Sequence, residues 1–154
     1  MSKQWQLRRG TKAENDIFTG AEGEVTLCTD TKGLRVHDGT TQGGFEIDTV
    51  VAFQIPTAAN NYTWYRKYAS GWVEQGGYGD LGGVQSSPTA TIVFPLSMAN
   101  VYYGINISCI RGDSGNFKMA QGVQTNTTTG MTFGFYASSD GCRYYTWEVK
   151  GMAA

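Results

Sequence analysis

Apolar and polar residues alternate with a period of two through most of this chain, in short runs broken by Gly, Asn, Asp and Ser. That pattern predicts β-strands covered on one face and joined by tight turns. Gln4 to Arg8 reads as a short half-buried strand, with Trp5 and Leu7 on one face, ended by Gly10. Thr11 precedes Glu14 at capping-box spacing and predicts a helix of about two turns over Lys12 to Phe18, stopped by Gly20. Glu24 to Cys28 and Leu34 to His37 predict a hairpin with Val25, Leu27, Leu34 and Val36 facing the same way. Asp30-Thr31-Lys32-Gly33 supplies its turn, with Gly33 expected at positive φ, and Asp38-Gly39 supplies the next.

Beyond residue 61 strand signals recur at roughly ten-residue spacing. Tyr62 to Tyr68 and Trp72 to Gln75 flank a tight Ala69-Ser70-Gly71 turn, and a Gly-rich loop is expected from Gly76 to Pro88. Thr89 to Phe94, Val101 to Ile110, Phe117 to Val123, Met131 to Ala137 and Tyr144 to Lys150 follow. The order predicts an antiparallel meander, and no amphipathic helix is at hand to cover a sheet face. The expected fold class is mainly β: a small hairpin module with a short helix, then an antiparallel β-sandwich or barrel-like domain.

Composition divides the chain at the same place. Of its 25 charged residues, 14 fall in the first 50 positions, whereas 17 of its 20 aromatics come later. The expected organisation is therefore a module over 1–46, a connector over 47–61 and a domain over 62–154. A module of that size with few large apolar side chains buries little core, which points to association with other copies. Twelve Lys and Arg against 13 Asp and Glu leave no basic excess for nucleic acid or an anionic bilayer. No apolar run approaches the ~20 residues of a spanning helix, so membrane insertion is not expected. The opening MSKQWQL has neither an apolar core nor a small-residue cleavage site, and synthesis in a cytoplasm is expected.

The candidate chemistry is sparse. Cys28, Cys109 and Cys142 are an odd set without CxxC spacing and read as ordinary small interior residues, with neither a disulfide nor zinc. His37 is the single histidine and reads as structural, so neither a triad nor a metal is expected. Glu74, Asp80, Asp113, Asp140 and Glu148 could supply the paired carboxylates of a glycosidase, but read as exposed strand and turn residues. Arg111-Gly112-Asp113 reads as a polar turn, and the acceptor-like triplets at Asn61, Asn106 and Asn126 as polar surface. No phosphate-cradling or dinucleotide fingerprint occurs, and no cofactor is expected. What remains is a wealth of Tyr, Trp, Asn, Thr and Ser, residues whose ring faces, amides and hydroxyls suit sugars, although most such rings fill a sandwich interior.

The ordered elements Arg9-Gly10-Thr11, Gly20-x-x-Gly23-Glu24, Thr29-Asp30-Thr31 and His37-Asp38-Gly39-Thr40-Thr41 resemble the N-terminal module of bacteriophage tail fibres and of the phage major tropism determinant. The later part, with the WYRKYxxGWVEQGG stretch from Trp64 to Gly77, Phe94-Pro95 and the closing strand Tyr144 to Gly151, is similar to the C-terminal domain of phage and prophage tail fibres. The resemblance implies a non-enzymatic homotrimeric fibre of the virion. Its first module would meet other tail proteins, and its second a bacterial surface glycan or outer-membrane receptor. No shaft separates the modules, so a short fibre, a tip fragment or a separate receptor-binding protein is expected. A capsule- or lipopolysaccharide-degrading tailspike and a purely structural tail connector are the competing readings.

If the strands simply alternate, the turns at 69–71, 95–100 and 124–130 share the distal end. That makes Ser97, Asn100, Asn126, Thr127, Thr128 and Thr129 the expected receptor contacts. Asp113, Asp140 and Arg143 form the alternative set.

Overall fold

A computed structural model of the chain describes residues 6–85, 89–111, 119–137 and 142–154. It divides into two compact units, Met1–Val51 with Tyr68–Gly71, and Ala52–Lys67 with Trp72–Ala154.

The first unit carries a four-stranded sheet of order β1-β2-β3-β4, formed by β1 (Arg8–Gly10), β2 (Val25–Cys28), β3 (Leu34–Val36) and β4 (Phe45–Ile47). β1 runs parallel to β2, and the other pairs are antiparallel. The strand expected over Gln4 to Arg8 thus begins at Arg8 among the described residues, and Trp5 lies outside them. Helix α1 (Lys12–Asp16) has the expected capping box, with Thr11 N donating to Glu14 Oε2 at 2.7 Å and Glu14 N to Thr11 Oγ1 at 3.3 Å. It stops short of Phe18, whose carbonyl is taken by the Gly43 N–H.

The elements of the N-terminal sequence pattern have architectural work. Asp30 accepts the Lys12 N–H, Glu24 accepts the Ala21 N–H, and Asp38 accepts the N–H groups of Thr40 and Thr41. Gly20 leaves room for His37, because a Cβ there would stand 2.7 Å from the imidazole Cγ. In the 30–33 turn the positive φ falls on Lys32, at 63°, rather than on Gly33. Gly33 instead permits a close approach, since a Cβ would meet Ala69 at 3.2 Å.

The hairpin register, Val25 opposite Val36 and Leu27 opposite Leu34, puts the four apolar side chains on one face as expected. Yet the buried face is the other one. Thr26, Cys28 and Arg35 are buried, together with His37 and Asn15. Arg35 is held by Gly43 O and the Asp16 carboxylate, while His37 accepts the Gly20 N–H on Nδ1 and meets Thr26 Oγ1 at 3.0 Å on Nε2. Buried polar groups persist only with such partners. The apolar face continues onto β4, where Phe45 is 58% and Ile47 45% exposed.

The remaining strands are β5 (Val50–Gln54), β6 (Trp64–Tyr68), β7 (Trp72–Gln85), β8 (Thr89–Val93), β9 (Gly104–Arg111), β10 (Met119–Thr127), β11 (Gly130–Ala137) and β12 (Cys142–Met152). They form a five-stranded sheet of order β5-β6-β7-β12-β9 and a three-stranded sheet of order β10-β11-β8. A simple meander is therefore not what forms: β12 inserts between β7 and β9, and β11 between β10 and β8. The two inner faces close on a single core. Phe94 stacks on Trp147 at 5.7 Å, and Phe133 meets Tyr145 edge-on at 5.0 Å. Fully burying a side chain such as Phe133 contributes roughly 1.5–3 kcal/mol.

Two expectations fail here for one reason, that contacts distant in sequence decide them. The region expected as a Gly-rich loop from Gly76 is strand through Gln85. Gly76, Gly77 and Gly79 are places where rings from neighbouring strands lie across the backbone: a Cβ on Gly77 would stand 2.7 Å from Trp147 Nε1, and one on Gly79 would strike the Tyr145 ring. Cys109 and Cys142, read as separate interior residues, are joined in a disulfide across neighbouring β9 and β12, with Cα atoms 5.9 Å apart. Cys28 is buried and free.

Candidate functional site

The six residues expected to contact a receptor lie in two connections, the β8–β9 loop and the end of β10 with its turn into β11, knitted together by hydrogen bonds. The chain leaves β8 at Phe94, whose N–H binds Thr129 O at 2.9 Å, and Met98 N binds Thr128 O at 2.7 Å. Asn126 Nδ2 donates to Val101 O at 2.9 Å, and Tyr103 Oη to Thr127 O at 2.9 Å. The last residues close the group, with Ala154 N on Ser97 O at 3.0 Å and Ala99 N on Met152 O at 2.8 Å. Ser97 and Asn100 thus sit on a loop braced against the final strand, and Asn126 to Thr129, at the end of β10 and its turn, are bonded to that loop. All but Thr128, which is half-buried, are exposed.

Interior residues hold these loops from below. Met98 and Tyr103 are buried, and the fully buried Gln75 binds the Leu96 backbone through both ends of its amide. Burial raises the Tyr103 phenol above its ordinary pKa, keeping it a donor to Thr127 O. Gly130 must be glycine, because a Cβ would collide with Ile92 O. Loops fixed in this way lose little entropy when a ligand binds.

Sequence reasoning missed Tyr102, which is 90% exposed, donates its N–H to Asn100 Oδ1 at 2.8 Å and directly follows the Val101 carbonyl that Asn126 binds. The adjacent Tyr102 and Tyr103 split between solvent and core, as neighbouring residues on an extended chain do. The exposed ring offers a stacking face, and the exposed Ser97, Asn100 and Thr129 on the same loops offer donors and acceptors, the equipment for a polyhydroxylated ligand.

The other expected positions fare differently. The 69–71 turn, grouped with the distal loops by strand alternation, is bound within the first unit, with Ala69 N on Thr49 O at 2.9 Å and Ser70 Oγ on Asp48 at 2.8 Å. Asp113 and Asp140 lie outside the described residues. Arg143 is engaged, its Nε 3.6 Å from Asp80 and its guanidinium 4.7 Å above the Tyr144 ring. Glu74 and Glu148 both face Lys150, at 3.7 and 3.3 Å, and the two of them raise its pKa, Glu148 the more strongly. These carboxylates are thus spent in ion pairs. Among the described residues no cluster of His, Cys, Asp and Glu is placed to hold a metal, and no helix is long and apolar enough to cross a membrane.

With this architecture in view, the chain proves similar to a tail fiber receptor-binding protein of a phage and to pyocin fibres. Residues 6–41 match the Major tropism determinant N-terminal domain. Over 145 residues the chain is 33% identical to the tail fiber receptor-binding protein of Bordetella phage BPP-1, a match covering 88% of this chain and 38% of that protein. The chain therefore spans well under half the length of that relative. Among solved structures it is similar to the major tropism determinant U1 variant, at 36% identity over 41% of this chain and 20% of that one, with a TM-score of 0.29. It is also similar to the P. aeruginosa R2 pyocin fiber, at 16% identity over 67% of this chain and 26% of that one, with a TM-score of 0.48.

Proposed function

We propose that the chain is the receptor-binding part of a phage tail fibre, a non-enzymatic adhesin that attaches the virion to a bacterial surface glycan or outer-membrane receptor. The observation that carries this reading is the 33% identity to a tail fiber receptor-binding protein across 88% of the chain, which spans both units. The braced loops bearing Ser97, Asn100, Tyr102, Asn126, Thr127, Thr128 and Thr129 are its contact surface. The protein is made in the host cytoplasm and acts in the virion, at the tail.

In this account the protein is a homotrimer, and the module over 1–46 joins it to other tail proteins. Support comes from the apolar sheet face of Val25, Leu27, Leu34, Val36, Phe45 and Ile47, which the unit itself leaves half-covered. Burying such a face between copies is worth roughly 25 cal/mol for each Å² of apolar surface removed from water. Light scattering tests the assembly. A mass near three times 16.8 kDa is expected, falling to one copy in Phe45→Asp, and a monomeric wild type excludes the trimer. Adsorption to host cells tests the adhesin: purified protein is expected to bind them and to compete with the virion, whereas a connector would do neither.

A further inference from the structure

We infer that the outer face of the five-stranded sheet carries a second sugar site, a groove for neutral pyranose units of an oligosaccharide, formed around Tyr62, Trp64 and Tyr78. A cavity of about 680 Å³ lies among these rings, Asn106, Thr146 and Glu148. A neighbouring one of about 470 Å³ shares Tyr62 and Tyr78 and continues past Gly79 and Asp80 to the edge between the sheets, where Tyr145 and Thr91 to Val93 of β8 line it. Both fall within the range of about 300–1,000 Å³ usual for small-ligand sites.

The register explains the shape. Trp64, Gly76, Glu148 and Asn106 stand in one row across β6, β7, β12 and β9, and Tyr78, Thr146 and Ser108 in the next. This is the face opposite the core, which takes Gln75, Trp147 and Val149. With no side chain on Gly76, the Trp64 indole lies against the strand, since a Cβ there would stand 2.8 Å from Trp64 Nε1. The result is a low floor with aromatic rings on one side and an amide, a hydroxyl and a carboxylate on the other.

Tyr62 adds an independent sign. It follows Asn61 in the left-handed region, with φ of 56° after 53°, a conformation that bulky residues avoid. The surroundings impose it: Tyr62 N donates to Thr57 O at 2.8 Å, and the Asn60 side chain caps Thr57 N at 2.8 Å. The strained backbone presents a ring that is 51% exposed and edge-on to Tyr78 at 6.3 Å, while Tyr78 in turn stacks on Tyr144 at 5.7 Å. Strain that holds an apolar ring out in water does nothing for the core, and such outliers gather at ligand clamps.

Charge selects the ligand. Asp80 and Glu148 border the two cavities, and the neighbouring cations are already paired, Arg143 with Asp80 and Lys150 with Glu148. Uronic and sialic acids would find no unpaired cation there to meet their carboxylates, whereas a neutral hexose or N-acetylhexosamine offers ring faces to the aromatics and hydroxyls to Glu148, Asn106 and Thr146. The inference takes from the adhesin reading only the source of the sugar.

Titration of the whole protein by tryptophan fluorescence tests it, Trp64 being the reporter, with maltotetraose and chitotetraose as neutral probes and tetragalacturonate as the acidic one. A saturable change with a neutral probe is expected, weaker by about ten-fold with tetragalacturonate and by about ten-fold or more in Tyr78→Ala and in Tyr62→Ser. Tyr62 is exposed, so its variant keeps the test open if Tyr78→Ala misfolds. No saturable response to either neutral probe, or a response that survives both substitutions, overturns the site. So does a change of mass in solution in Tyr78→Ala with sugar binding intact, which would make the groove an interface between copies. Sugar binding without adsorption to cells would sink the adhesin and leave the groove standing; adsorption without sugar binding would do the reverse.

Discussion

Gln75 and Leu96 are tied in both directions: the buried amide donates to Leu96 O at 2.8 Å and accepts the Leu96 N–H at 2.9 Å. A strand of one sheet thereby fixes the start of the loop that carries Ser97 and Asn100. Gln75→Leu removes both bonds and strands two main-chain groups, at a cost of about 1–3 kcal/mol for each group left unsatisfied. Urea unfolding should show that loss. Adsorption to cells should weaken as well, because the loop is no longer held; unchanged stability would mean that the loop finds its own partners.

Two glycines separate close approach from mere composition. At Gly130 a Cβ would collide with the main-chain carbonyl of Ile92, which cannot swing aside, whereas at Gly122 it would meet nothing within 4 Å. Gly130→Ala is expected to cost about 1–3 kcal/mol as an overpacked site. Gly122→Ala should be neutral or slightly stabilising through the unfolded chain. Equal melting temperatures for the two variants would contradict the geometry.

Acid should act on the first unit. Asp16 is held below the ordinary carboxylate range by Lys12 and then Arg35, Asp30 by the Lys12 N–H, and Asp38 by the N–H groups of Thr41 and Thr40. A folded pKa below the unfolded one means that the unfolded chain takes up protons first as pH falls. The stabilisation is complete above about pH 4, near the unfolded value of about 3.9, and is lost as pH drops through the folded values. Amide exchange in the first unit between pH 5 and pH 2 should report this loosening. Asp38→Asn should already be loosened at pH 5 and change less on acidification.

The Cys109–Cys142 disulfide closes a loop with a sequence separation of 33. In the chain-entropy account a loop of that length contributes about 3–4 kcal/mol. Reduction, or replacement of both cysteines by alanine, is expected to lower the melting temperature by on the order of 10 °C for a domain of this size. No shift under reductant would show the bond to be dispensable.

How much of this was legible in the sequence follows from which contacts are local. Strand positions, the capping box of Thr11 and Glu14, and the turns at Asp38-Gly39 and Ala69-Ser70-Gly71 depend on near neighbours and were readable. The strand from Gly76 to Gln85 was not, because the rings that occupy the space above Gly76, Gly77 and Gly79 arrive from Trp64, Trp147 and Tyr145 on other strands. Which face of the first unit is buried was not legible for a similar reason: Arg35, Thr26 and His37 can be interior only because Asp16, Gly43 and Gly20 supply their partners. The disulfide needed the adjacency of β9 and β12, which a meander would not give. Strand alternation grouped the turns at 95–100 and 124–130, and these do meet through Phe94, Met98 and Asn126. It also added the 69–71 turn, which binds within the first unit, and it gave no reason to single out Tyr102.

The most direct test of the central claim is binding of the labelled protein to host cells, comparing wild type with a Tyr102→Ala, Asn126→Ala double variant whose melting curve and mass in solution match it. Saturable binding by the wild type, cut about ten-fold or more in the variant and absent on cells stripped of the receptor, is the predicted result. Equal binding by both would move the receptor site away from these loops, and no binding by the wild type would contradict the adhesin itself.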